Sequence, residues 1–199
     1  VFFTGNEAKG KIYFGAKVIP VRGVWIEIES DPDGTLYVRI DRKRKFSVVS
    51  LLRVLGEGKT DEQITEAFAD ITGEVNYLKN SFAKDPAKNI EDSYIEIYRK
   101  LRDNDLATVA NAKEFLDSIF SRERYDLSLV GRYRFNKRFG KDMTEEALAR
   151  RTLSFDDLLT TIKHIIALNN DPDAKEDDID HLGLRRVRSV GEMLQLKIR

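Results

Sequence analysis

"VWIEIESDPDGTLYVRID", Val24–Asp41, decides the class of this fold. Apolar and polar residues alternate on either side of a short break. Val24, Ile26 and Ile28 fall on one face of an extended strand, and Leu36, Val38 and Ile40 on one face of a second. Between them, Ser30-Asp31-Pro32-Asp33-Gly34 is turn chemistry, because proline presets φ and glycine takes positive φ without strain. The pattern predicts an antiparallel hairpin. Its opposite face carries Trp25, Glu27 and Glu29 from one strand and Tyr37, Arg39 and Asp41 from the other.

Upstream, "KIYFGAKVIP" continues the β pattern, so residues 1–46 read as β-rich. From Ser47 the period becomes helical. Ser47 caps "VVSLLRVL" and Gly56 stops it, while Thr60 and Gln63 form a capping box. Further stripes follow: Tyr94, Ile97, Tyr98 and Leu101, then Val109, Ala112, Phe115, Leu116 and Ile119. Ser154 with Asp157 starts a helix that turns Leu158, Leu159, Ile162, Ile165 and Ile166 inward, and Ser189 with Glu192 starts another. Strands come first and helices after them, so the expected class is α+β: an N-terminal antiparallel hairpin or sheet followed by a helical bundle. No repeat or convincing linker divides the chain.

Composition narrows the function. The 199 residues are 41% hydrophobic and 34% charged, enough for a core and too charged for a membrane protein. No apolar run approaches the ~20 residues that span a bilayer. There is no cysteine, which excludes disulfides and thiolate catalysis and suits a reducing cytosol. Lys+Arg and Asp+Glu are both 34, so any nucleic-acid contact must come from local patches. The chain opens "VFFTGNE" without Met and closes "GEMLQLKIR" inside an amphipathic run, as expected of a piece of a longer polypeptide.

Four features could carry function. Trp25 either stacks on a base or partner from its polar face, or is covered as core. "RIDRKRK", Arg39–Lys45, offers Arg42, Lys43 and Arg44 to phosphates, or is a solvated turn. "GRYRFNKRFGK", Gly131–Lys141, is either a basic-aromatic nucleic-acid surface or a helix with aromatics inward and cations outside. "EDDIDHLGLRRVRSVGE", Glu176–Glu192, sets Asp177, Asp178, Asp180 and His181 against Arg185, Arg186 and Arg188. That cluster suits a divalent metal, a salt-bridged loop, or nucleic acid read by both signs of charge. His164, among Ile and Leu, reads as a hydrogen-bonded structural histidine. No Gly-rich phosphate loop, Ser/His/Asp set or Cys nucleophile is visible, so the residues read as a non-catalytic binding module.

Several stretches together resemble the β subunit of bacterial DNA-directed RNA polymerase: "RGVWIEIESDPDGTLYVRIDRKRKF", "IYRKLR" followed by "ATVANAKEFLDSIF", "RYDLSLVGRYRFNKRFG" and "DDIDHLGLRRVRSVGE". They lie in the family's order and cover most of the chain. Residues from about Gly56 to Asn89 look like the short form of a region that carries a large insertion in some lineages. The resemblance implies a single lobe (β2) domain over residues 1–175, β-rich over 1–46 and mainly helical over 47–175. Residues 176–199 would begin the return toward the protrusion and fork. It also implies a part of a nucleotidyltransferase that forms one jaw over the downstream DNA channel and has no catalytic residue of its own. The catalytic Mg²⁺ would be held by β′, leaving no metal or cofactor here.

Matched residue by residue, the resemblance makes Asp180 the carboxylate that reads the Watson–Crick edge of an unstacked non-template guanine. Ile179, Leu182 and Arg185 would line the pocket, and Trp25 would stack on the neighbouring base. A further pocket arginine of the family would precede Val1, and Leu184 stands where the motif has Asn. The isolated piece is therefore expected to bind single-stranded DNA weakly or not at all. Arg42, Lys43, Arg44, Arg186 and Arg188 are further DNA or partner contacts. Implied partners are the rest of β, β′, α and ω, σ factor, promoter and downstream DNA, and transcription regulators, in the nucleoid-associated cytoplasm and away from membrane. Two alternatives are a protein-docking platform for σ, β′ or a regulator, and a metal-dependent phosphoesterase.

Overall fold

The computed structural model describes residues 1–71, 73, 75–102, 106–183, 187 and 189–198. Within it the Val24–Asp41 hairpin forms as its alternation requires. Strands β3 (Ile26–Ser30) and β4 (Leu36–Ile40) pair antiparallel, with Ile26 opposite Ile40 and Ile28 opposite Val38, all buried. In the turn, the Gly34 amide donates to Asp31 O at 3.0 Å, and Gly34 takes φ 76° as its position demands. Strands β1 (Phe2–Ala8) and β2 (Lys11–Val18) precede this hairpin, and β5 (Phe46–Ser47) follows it. Together they make an antiparallel sheet in sequential order β1-β2-β3-β4-β5.

Helices then follow the strands in one block, confirming α+β. They are α1 (Val48–Leu55), α2 (Asp61–Glu66), α3 (Tyr77–Lys84), α4 (Ile90–Leu101), α5 (Val109–Phe120), α6 (Ser128–Arg138), α7 (Glu145–Ala149), α8 (Phe155–Asn170) and α9 (Val190–Ile198). The predicted caps are present. Ser47 accepts from the Val49 amide, and Thr60–Gln63 and Ser154–Asp157 form complete capping boxes. At α9 the Ser189 hydroxyl accepts from the Glu192 amide at 3.3 Å.

Helix α1 is buried along almost its whole length between the sheet and α4. Helix α8 lies against β2 and replaces a missing piece of the strand ladder. Where β2 no longer pairs with β3, the Phe14 amide donates to Asn169 Oδ1 at 2.9 Å and Phe14 O accepts from the Ser30 hydroxyl at 2.6 Å. Buried strand amides and carbonyls need such partners.

The Gly131–Lys141 stretch departs from both readings of its charges. It forms α6 and the turn after it, with Phe135 buried and Phe139 packed against the core, but its cations are not all outside. Arg132 is buried and grips Asp157 of α8 with two hydrogen bonds, at 2.7 and 2.8 Å. His164 packs among aromatic rings, edge-on to Phe3 at 4.4 Å and to Phe139 at 5.5 Å. Burial, reinforced by the nearby Arg138 charge, lowers its pKa.

Candidate nucleic-acid interface

Trp25 stands one residue before β3, and the chain that delivers it is fixed on both sides. Val21 and Arg22 donate their amides to Asp126 O at 2.8 and 3.2 Å, and the Asp126 amide donates back to Arg22 O at 2.8 Å. Gly23 then passes close to that segment at φ 118°. A Cβ there would lie 2.9 Å from Arg124 O and 2.9 Å from Tyr125 Cδ2. Gly23→Ala is therefore expected to cost about 1–3 kcal/mol, since it combines backbone strain with a clash against main chain. Thermal melting measures the loss. Emission from Trp25, the sole tryptophan, should move to longer wavelength as the ring loosens.

The ring itself is half-buried, between the two sequence readings. The Arg42 guanidinium lies 5.0 Å from its centroid, a cation–π contact. A tight turn puts it there. Lys43 donates its amide to Ile40 O at 3.0 Å, and both central residues, Asp41 and Arg42, are left-handed with φ 52° and 58°. Left-handed backbone is uncommon for residues other than glycine, and this turn type suits the twist of a hairpin. The Asp41 amide also donates to Trp25 O at 2.8 Å. Of the other basic residues in this stretch, Lys45 pairs with Asp31 at 2.6 Å, while Lys43 and Arg44 are exposed.

The acidic stretch splits into an anchor and a loop. The Asp177 amide donates to Phe3 O at 2.8 Å, and its carboxylate accepts from the Phe3 amide at 2.8 Å. The same carboxylate takes a bidentate pair from Arg138, at 2.7 and 2.9 Å. Burial pushes the Asp177 carboxyl up, but the Arg138 and Phe3 hydrogen bonds outweigh it and hold the group below the usual carboxylate range. Glu176 accepts from the Gly5 amide at 3.2 Å.

Beyond the anchor, Asp178, Ile179, Asp180, His181 and Leu182 are exposed, with Leu182 at 83%. The Asp180 amide donates to Asp178 Oδ1 at 3.0 Å, the Gly183 amide to His181 Nδ1 at 3.1 Å, and Arg134 to Gly183 O at 2.9 Å. Among the described residues, no three His, Cys, Asp or Glu side chains gather as a metal would require.

Strand register relates the two halves of the proposed pocket. Val18 pairs with Ile26 and Lys17 with Phe2, so the start of β1, the end of β2 and the start of β3 share one end of the sheet. Glu176 sits at Gly5 and Asp177 at Phe3, so the chain runs toward that same end as it enters the Asp180 loop. Trp25, at the start of β3, is three strand spacings from Asp177, which lies outside β1, a separation of about 14 Å between strand axes. Arg185, Arg186, Arg188 and Leu184 lie outside the described residues. The residues that hold the loop stood out in the sequence only in other roles, Asp177 in a possible metal cluster and Arg134 and Arg138 in a basic-aromatic surface, and nothing in their spacing joined them.

No described helix is long and apolar enough to cross a membrane. The family described as RNA polymerase Rpb2, domain 2, matches residues 3–188. The chain is 40% identical over 206 residues to the DNA-directed RNA polymerase subunit beta of Streptomyces coelicolor, covering 98% of this chain and 17% of that protein. It is 40% identical over 207 residues to the subunit beta of a Nocardioides species, with the same coverage. It is 38% identical over 211 residues to that of Paenarthrobacter aurescens, covering 98% of this chain and 18% of the relative. The chain thus spans less than a fifth of the length of the curated relatives it matches.

Proposed function

The chain belongs to the RNA polymerase Rpb2 domain 2 family, the lobe of the β subunit, and from that premise we propose that it holds non-template DNA for the polymerase. In this reading the lobe performs no chemistry. It forms part of the jaw over downstream DNA and works with the rest of β, β′, α, ω and σ factor in the cytoplasm. Trp25 stacks on one unpaired base, and Asp180 accepts hydrogen bonds from the Watson–Crick edge of the next, a guanine. Ile179 and Leu182 wall the pocket, and Arg185 supplies attraction to phosphate. Arg42, Lys43, Arg44, Arg186 and Arg188 extend the basic surface. The catalytic Mg²⁺ belongs to β′, and no cofactor is assigned to the lobe.

One observation supports this most. Trp25 and the Asp180 loop, 155 positions apart in sequence, lie at the same end of the sheet, both with exposed surface.

The test is the lifetime of promoter complexes formed by the complete polymerase, with guanine or another base at the captured position. Guanine should prolong it, and Asp180→Ala should remove a preference of about tenfold, the worth of one charge-assisted hydrogen-bond set. Trp25→Ala should shorten every lifetime, whichever base follows. An unchanged base preference in Asp180→Ala overturns the reading. The docking alternative would then be favoured by salt-tolerant binding of σ factor or a regulator that depends on Trp25 and Tyr37.

A further inference from the structure

The Asp180 loop has little packing of its own, yet both its ends are tied to one helix. Arg138 forms the bidentate pair with Asp177 where the loop begins, and Arg134 donates to Gly183 O where it ends. The two arginines are four residues apart on α6, and side chains at that spacing stand side by side, roughly 6 Å apart at Cβ. The first anchor is stiff. The Arg138 guanidinium lies 4.6 Å from the centroid of Phe3, a ring with no exposed surface that His164 and Phe139 contact from other sides. The Asp177 carboxylate meanwhile accepts from the amide of that same Phe3, on the outer edge of the sheet.

We propose that Arg134 and Arg138 are positioning residues that clamp the two ends of the 178–182 loop and so set where Asp180 meets its base. The proposal rests on the base-capture reading above. It also gives the arginines of the Gly131–Lys141 stretch a role other than direct contact with phosphate. The planar fork of arginine matters at position 138, because lysine cannot engage both carboxylate oxygens in one plane.

Two measurements on the complete polymerase separate the outcomes. The first is hydrogen exchange of amides 178–183. In Arg134→Ala/Arg138→Ala it should quicken about tenfold, as the loop opens more easily. Unchanged exchange overturns the clamp whatever DNA does. The second is the ratio of promoter-complex lifetimes with guanine and with adenine at the captured position. The double variant should lower that ratio about fivefold, and adding Asp180→Ala should lower it no further, because the effect runs through Asp180. Direct phosphate binding by the arginines would instead shorten both lifetimes equally and leave the ratio alone, which overturns the proposal. Arg138→Lys keeps the charge and should lose about half of the effect on a logarithmic scale. If Asp180→Ala alone leaves the ratio unchanged while exchange still quickens, base capture fails and the clamp stands as an anchor of the loop.

Discussion

Asp157→Ala is expected to destabilise the chain by about 3–5 kcal/mol, because it leaves the buried Arg132 charge without its counter-ion. Arg132 is 4% exposed and its Nε has no hydrogen-bond partner, so its neutralisation depends on the two bonds to Asp157. The remaining bond, from Arg132 to Thr152 O at 2.7 Å, supplies no charge. Asp157 also accepts from the Ser154 amide at 3.0 Å, so the reciprocal half of the capping box is lost in the same step, while Ser154 still caps the backbone amide of residue 157. In a chain of this size the midpoint should fall by about 10 °C. Pairing Asp157→Leu with Arg132→Met should recover much of the loss, since apolar replacement of a whole buried pair is often close to neutral. If the single substitution melts within about 1 kcal/mol of the parent, this account of α6 and α8 is wrong.

The same carboxylate sets an acid limit. Burial alone would push it up, but the Arg132 hydrogen bonds and charge outweigh burial and hold it below the usual carboxylate range. A depressed carboxyl contributes stability that is complete above its unfolded value, near pH 4, and lost as pH falls below it. Asp157→Asn should therefore flatten the fall of stability on the acid side.

Arg53→Met is expected to cost about as much, roughly 3–5 kcal/mol, at the other end of the helical layer. Arg53 is 5% exposed on α1 and holds three segments together. It donates to Asp61 at the start of α2 at 2.7 and 2.8 Å, to Asp85 at the end of α3 at 2.8 Å, and to Ala87 O at 3.0 Å. Methionine fills the apolar stem but strands Asp85, whose side chain has no exposed surface. Burial is the strongest influence on the Asp85 carboxyl and pushes it up. Without the guanidinium that push is less opposed, so folding of the variant should favour the protonated form of Asp85 more than folding of the parent does. A raised carboxyl contributes stability below its unfolded value that is lost as pH rises through the folded one. The deficit of Arg53→Met should therefore be smaller at pH 5 than at pH 8 when both are measured by denaturant unfolding. Asp85→Asn in the same background should remove that pH dependence.

The strand and helix grammar was legible because it is local. Alternation over Val24–Asp41 specified a hairpin, and its register agrees residue by residue, Ile26 with Ile40 and Glu27 with Arg39. Ser47, Thr60 and Ser154 announced helices because a cap is a bond across two or three residues. The pocket was legible only by resemblance to a family, since nothing in the spacing of Trp25 and Asp180 says that they approach.

By itself, then, the sequence determined the α+β class, the sheet hairpin and the helix starts, through backbone preferences that act within a turn or a strand. Tertiary structure alone decided the fate of the charges. Among arginines of one short stretch, Arg132 went into the core, Arg138 onto Asp177 and Arg134 onto Gly183. Each choice pairs groups 25 to 49 positions apart. A charge in a sequence has the same character wherever it stands; what it meets, and what water it loses, depends on which distant carboxylate or carbonyl folding brings beside it.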